Sequence, residues 1–139
     1  MEWFFWALLS ALFAGATAIL AKIGVADVNS NLATAIRTSV ILVFSWGIAI
    51  FTTTGASIAA IDKKAWIMLV LSGLATGLSW LCYFRALQLG EVSKVAPIDK
   101  LSVVVAIGLG MIILREKLDL REGIGVALIV VGALVLALK

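Results

Sequence analysis

Long apolar runs alternate with short polar breaks along the whole chain. Five runs stand out, over residues 3–23, 32–51, 66–89, 95–114 and 123–138. Each approaches the roughly 20 mostly apolar residues that a helix needs to cross a bilayer. The last is short and must stand nearly upright or draw on its flanks. The breaks at 24–31, 52–65, 90–94 and 115–122 are polar, and none exceeds 14 residues. That leaves no room for a folded domain outside the spans. The pattern predicts an all-α polytopic membrane protein, with five transmembrane helices in one domain over residues 1–139. Ala16-Thr17-Ala18 imitates a signal-peptide cleavage site, but Glu2 precedes the apolar run where a basic residue is wanted and Lys22 ends it. The first run reads as a retained helix.

Local features agree with this division. Asp27, Asn29 and Asn31 fill the first break, where they can turn the chain or cap the next helix. Trp3, Trp6, Trp46 and Trp66 lie towards span ends, at the level where aromatic rings anchor among headgroups. Pro97 is expected in the first turn of the fourth span, where its missing N–H costs little. Gly90-Glu91 is expected to close the third span as a glycine C-cap.

Composition strengthens the reading and removes alternatives. Hydrophobic residues make up 63% of the chain and charged residues 14%. Soluble domains average about 45–50% and about 25%. A water-soluble fold of this make-up would expose too much apolar surface to stay dispersed. There is no histidine, one proline and one cysteine, which excludes a histidine-based metal or acid–base centre, a disordered chain and a disulfide scaffold. Cys82 reads as a buried small hydrophobe. No phosphate-cradling G-x-x-x-x-G-K-[ST] loop occurs. Asp62 and Glu116, with basic neighbours, read as ordinary solvated ion pairs. Neither an enzyme nor a cofactor or metal site is expected. The net charge of +3 comes from scattered Lys and Arg residues, too sparse to suggest nucleic acid as a partner.

Five spans put the two ends on opposite sides of the membrane. Lys63, Lys64, Arg115, Lys117 and Arg121 then fall on the N-terminal side. Lys22, Arg37, Arg85, Lys94 and Lys139 fall on the other, with Lys100 just inside. The positive-inside rule has almost nothing to act on. Two readings stand. Either Arg37, Arg85 and Lys100 are buried, do not count, and leave the N-terminal side cytoplasmic, or the chain inserts both ways and pairs head-to-tail.

Ionisable residues within spans are functional hypotheses by default. Lys22, Arg37, Arg85, Asp99 and Lys100 all fall in the same half of the membrane when helix directions alternate. Four cations and one carboxylate around one mouth would favour an anionic or zwitterionic solute. Lys22 can instead snorkel to the headgroups, as can Arg37 and Arg85. Asp99 is too short to snorkel and is expected to pair with Lys100, Arg85 or Arg37, or to face water.

The third span carries a polar stripe. Ser72, Thr76, Ser79 and Tyr83 step by four, three and four, so they share one helix face. Trp80 and Phe84 flank it. Such a face should meet protein or water rather than acyl chains. It reads either as a helix-packing surface, helped by Gly73 and Gly77, or as the lining of a solute path. Ser10, Ala14, Thr17 and Ala21 form a small-residue face on the first span that close packing explains.

Tyr83-Phe84-Arg85-Ala86-Leu87 at the end of the third span, Val95-Ala96-Pro97-Ile98 at the start of the fourth, Arg115-Glu116-Lys117-Leu118 before the fifth and the glycine-rich last helix together resemble the EamA-type domain of the drug/metabolite transporter superfamily. The likeness is strongest over 66–139 and covers the chain as one domain. It implies a five-helix EamA-like bundle, half of the ten-helix inverted-repeat transporters. A homodimer, possibly antiparallel, would rebuild that architecture. Gly125, Ile129 and Gly132 resemble the dimerising helix of the small multidrug resistance family. Two departures matter. Leu101-Ser102 is followed by Val103 where many such domains carry proline, so a straighter fourth helix is expected. No acidic residue lies within the first span, unlike the cation-binding small multidrug resistance proteins. The resulting expectation is a secondary transporter of small polar metabolites in the cell (inner/plasma) membrane. Ser72, Thr76, Ser79, Trp80, Tyr83 and Phe84 would line its path, and Arg37, Arg85, Asp99 and Lys100 would steer or bind charge. The alternatives are a non-transporting assembly subunit and, third, a membrane enzyme.

Overall fold

The computed structural model describes residues 2–138, apart from the side chain of Ala56. The chain is helical, with no strand among these residues. α1 is Glu2–Val25, α2 is Ser30–Thr52, α3 is Gly55–Ala59 and α4 is Lys63–Leu89. α5 is Val92–Asp99, α6 is Ser102–Leu109, and α7 is Leu120–Ala137, with a π-helical turn Gly110–Leu114 between α6 and α7. Five stretches are long and apolar enough to cross a bilayer: α1, α2, α4, the interrupted Val92–Leu114 and α7. α7 has 18 residues, so it is about 27 Å long, close to the roughly 30 Å hydrocarbon thickness. At that length it reaches across only by standing nearly upright or by drawing on its flanks.

Caps explain why the helices begin before their apolar runs. Asn29 Oδ1 accepts hydrogen bonds from the N–H groups of Asn31 and Leu32 at 2.9 and 3.3 Å, which starts α2 at Ser30. Asp62 Oδ1 accepts from Ala65 N–H at 3.0 Å and starts α4 at Lys63. Asp119 and Glu122 form a reciprocal capping box that starts α7 three residues ahead of Gly123. Asp62 is therefore a helix cap, and no carboxylate–cation pair within 4 Å engages Asp62 or Glu116 among the described residues.

Two helix ends depart from expectation. No glycine among the described residues has a positive φ, so α4 is not closed by a left-handed Gly90. Its end is met instead by the Lys22 ammonium, which donates to the Gly90 carbonyl at 2.8 Å. A cation there completes orphan carbonyls and opposes the helix dipole. The left-handed residue is Arg115, at φ 56°, just after the π turn. Its N–H and that of Glu116 both donate to Gly110 O.

The fourth span is interrupted rather than straight. Because the helix begins at Val92, Pro97 is its sixth residue and lies in the interior. It offers no N–H to the carbonyl one turn before it. Three residues on, the hydrogen bonds tighten to three-residue spacing, from Lys100 N–H to Pro97 O and from Leu101 N–H to Ile98 O. α6 restarts at Ser102. The missing proline at Val103 does not straighten the helix, because Pro97 has already removed a rung.

Contacts group the chain into two compact units: α1 up to Lys22 with the chain from Leu89 onward, and Ile23–Gln88. In the first, α5 and α6 pack against α7. Few side chains are buried in either unit. Ala18, Ala21, Val25, Phe84, Leu87 and Ala133 are, together with Ser30 and Thr34, while most large apolar side chains face outward. In a membrane that outer surface meets lipid. Burial on α1 runs along Ala18, Ala21 and Val25, so only the far end of the predicted small-residue face is covered. Cys82, expected inside, is exposed on one of these outward surfaces of α4.

Candidate functional site

The unit Ile23–Gln88 brings α2 and α4 together through one side chain. The Arg37 guanidinium carbon lies over the Trp80 ring, 4.2 Å from its centroid, and 5.5 Å from the centroid of Phe84. Trp80 and Phe84 are four residues apart, so both rings fall on one face of α4. Phe84 is buried and fixes the platform; Trp80 and Arg37 are half-buried. On α2 the face carrying Arg37 also carries Thr34 and Ser30, spaced by three and four. Both are buried. Thus the polar face of α2, not an apolar one, is turned inward in this unit. The stepping of Ser30, Thr34 and Arg37 is the same signal that marked the α4 stripe, and it was available in the sequence.

Hydroxyls here are largely spent within their own helices. Thr34 Oγ1 donates to Ser30 O at 2.8 Å, Thr38 Oγ1 to Thr34 O at 2.8 Å and Thr76 Oγ1 to Ser72 O at 2.9 Å. These bonds satisfy the donors inside a low-dielectric span and leave the oxygens only as acceptors. The guanidinium of Arg37 differs. None of the hydrogen bonds or ion pairs among the described residues engages it. Placing an arginine in the middle of a span costs about 2.5–3.5 kcal/mol on the insertion scale. A cation–π contact returns about 0.5–2 kcal/mol. Stacking alone does not cover the cost at depth, and α2 begins seven residues before Arg37, about 10 Å along its axis.

The other predicted site residues fall as follows. Ser72, Thr76 and Ser79 are exposed on α4 and Tyr83 is half-buried; the stripe is uncovered in the single chain. Arg85 Nη1 donates to Gln88 Oε1 at 2.8 Å. The Gln88 amide in turn donates to Val28 O at 2.8 Å and Val25 O at 3.3 Å. Gln88, which carries no charge and draws no notice in the sequence, thus ties the end of α4 to the α1–α2 turn. In the other unit, Asp99 pairs with Lys100 at 3.4 Å, the first of its three expected partners, at the interruption between α5 and α6. On α7, a Cβ added to Gly125 or Gly132 would meet nothing within 4 Å, and Ile129 between them is 41% exposed. Ala133, one turn on from Ile129 along the edge of the same face, is the buried residue.

A cavity of about 440 Å³ opens between the π turn and the start of α7, lined by Ile107, Met111, Glu116, Lys117, Leu118 and Glu122. The Glu116 carboxylate folds over Gly110, where a Cβ would lie 2.8 Å from it. None of the residues expected to meet a solute lines this cavity.

Five apolar spans, with hydroxyls and a ring-stacked guanidinium set into the faces of two of them, define a multi-pass membrane protein. The chain belongs to the EamA-like transporter family, whose model matches residues 1–138. It is 53% identical over 136 residues to a Sinorhizobium protein named as an uncharacterized transporter in the cobO 3′ region, covering 98% of this chain and 96% of that one. It is 27% identical over 78 residues to an uncharacterized protein of Methanocaldococcus jannaschii, covering 56% of this chain and 57% of that one. No solved structure matches. The resemblance legible in residues 66–139 therefore extends over nearly the whole chain, and the protein is a membrane transporter.

Proposed function

We propose that the protein is a secondary transporter of small polar metabolites, amino-acid-like and anionic or zwitterionic, working by alternating access as a homodimer in the cell (inner/plasma) membrane. The observation that carries this reading is Arg37: a cation two turns inside a spanning helix, held on aromatic rings, with no hydrogen bond or ion pair to its guanidinium among the described residues. Trp80, Tyr83, Phe84, Ser72, Thr76 and Ser79 form the wall of the path beside it. Arg85, Asp99 and Lys100 are the further charged groups that steer or bind the solute. Residues 1–139 act as one domain that needs a second copy, and no catalytic group or cofactor takes part.

Homodimerisation is supported by the open Gly125–Ile129–Gly132 face, where two backbones can approach closely. Near-equal basic residues on the two sides support an antiparallel pair. Alternating access then amounts to two bundles rocking about a shared site. A test is uptake of labelled amino and carboxylic acids into proteoliposomes. The reading expects saturable uptake that Trp80→Ala reduces by about tenfold or more; vesicles no more permeable than protein-free ones count against it.

The uncovered Ser72–Thr76–Ser79 stripe also suits a non-transporting subunit that lays this face against a different protein. Crosslinking in native membranes separates the two. A homodimer supports transport, and a stable hetero-complex without homodimer supports the assembly role.

A further inference from the structure

We infer that Arg37 is the carboxylate-binding group of this site. It reads a ligand with the edge of its guanidinium while Trp80 and Phe84 occupy the face. The inference rests on the transporter reading for the claim that a solute reaches α2 and α4.

A guanidinium presents its N–H donors in its own plane and accepts nothing. Stacking uses the plane's face and leaves the edge free. That edge is a rigid fork whose spacing matches the two oxygens of a carboxylate. At Arg37 the face is taken, at 4.2 Å from the Trp80 centroid and 5.5 Å from that of Phe84. The edge is engaged by no hydrogen bond or ion pair among the described residues. The hydroxyls flanking it on α2 do not compete as donors, since Thr34 and Thr38 each give their proton to a carbonyl one turn back. On the Trp80–Phe84 platform it is the Arg37 edge that has donors to spare.

The charge count selects among anions. Of the other cations in the unit, Lys63 and Lys64 begin α4, roughly 25 Å along the helix axis from Trp80, and the Arg85 side chain is turned to Gln88, which itself is anchored on Val25 and Val28. A single free guanidinium balances one negative charge. A phosphate dianion also fits the fork, but it carries a second charge that this one guanidinium leaves unbalanced. The ligand is therefore a small molecule with a planar carboxylate. A zwitterion's ammonium is accommodated by the acceptor oxygens of Thr76 and its stripe, since the Trp80 ring is already taken by Arg37.

The experiment uses the purified full chain in nanodiscs, with thermal unfolding and tryptophan emission as readouts. The probes are propionate, alanine, propionamide, propylamine and inorganic phosphate. Propionate and alanine are expected to stabilise the protein saturably, phosphate about tenfold less tightly, and propionamide and propylamine not at all. Arg37→Lys keeps the charge but loses the planar fork, and should weaken propionate about tenfold or more. Arg37→Gln, a second variant, should do the same. The inference is overturned if no probe stabilises the protein, if propionamide or propylamine matches propionate, or if both variants keep wild-type affinity. Failure of the two readings can be told apart. Arg37-dependent carboxylate binding without uptake into proteoliposomes would remove the transporter reading alone. Uptake of a neutral or cationic solute that is indifferent to Arg37 would remove the carboxylate assignment alone.

Discussion

Arg115 holds a left-handed backbone conformation, φ 56°, that L-residues adopt at a cost of about 1–2 kcal/mol. It does so because its N–H and that of Glu116 both close on Gly110 O, ending the π turn as a C-cap. Glycine at this position removes the steric penalty. Arg115→Gly should therefore stabilise the protein by about 1 kcal/mol, read from unfolding in mixed micelles; a loss of similar size would mean that the arginine side chain contributes more than the backbone strain costs. Gln88 is the converse case. Its amide satisfies two carbonyls of the α1–α2 turn and its oxygen meets Arg85. Gln88→Leu strands these groups and should cost about 1–3 kcal/mol in the same assay, with no effect expected if water replaces the amide. Neither role was legible beforehand. A lone glutamine at the end of an apolar helix carries no periodic or charge signal, and a positive φ on arginine is set by the packing of the turn.

At the scale of elements, the spans were legible because a twenty-residue apolar run has few other fates. Their starts were not, because caps extend a helix backwards into residues that look like loop. Asp119-x-x-Glu122 was a readable capping box, yet the polar stretch around it reads equally as a break. Asp119→Ala should cost about 1 kcal/mol, with lost helicity confined to the start of α7 by hydrogen exchange. The fourth span shows the limit of motif comparison. The absent proline after Ser102 argued for continuity, whereas Pro97, six residues earlier, removes a rung of the ladder and is followed by the tighter turns at Lys100 and Leu101. Short tight turns inside a helix often mark hinges. Pro97→Ala restores a donor and should make Val92–Leu109 more continuous, seen as slower exchange at Lys100 and Leu101. Unchanged exchange there would assign the interruption to the Asp99–Lys100 pair instead.

For the molecule as a whole, composition and hydropathy were decisive and the site was partly so. Arg37, Trp80 and Phe84 stood among the candidates, and the structure joins those three; it pairs Asp99 with its neighbour Lys100 and ties Arg85 to Gln88. Sequence periodicity could assign faces to helices but not the rotation of α2 against α4, which depends on packing. In the proposed homodimer the α7 face is the surface that a second copy would cover. Gly132→Leu adds bulk on that face, where a Cβ meets nothing within 4 Å, and should shift a crosslinked dimer to monomer while leaving helicity unchanged; persistence of the dimer would locate the interface elsewhere. The whole account rests on an odd number of crossings. Accessibility of tags fused to both ends, measured in sealed native vesicles, tests that directly. The account predicts that the two ends of each molecule always report opposite sides, with both orientations present if pairs are antiparallel. Two ends on the same side of the membrane would contradict it.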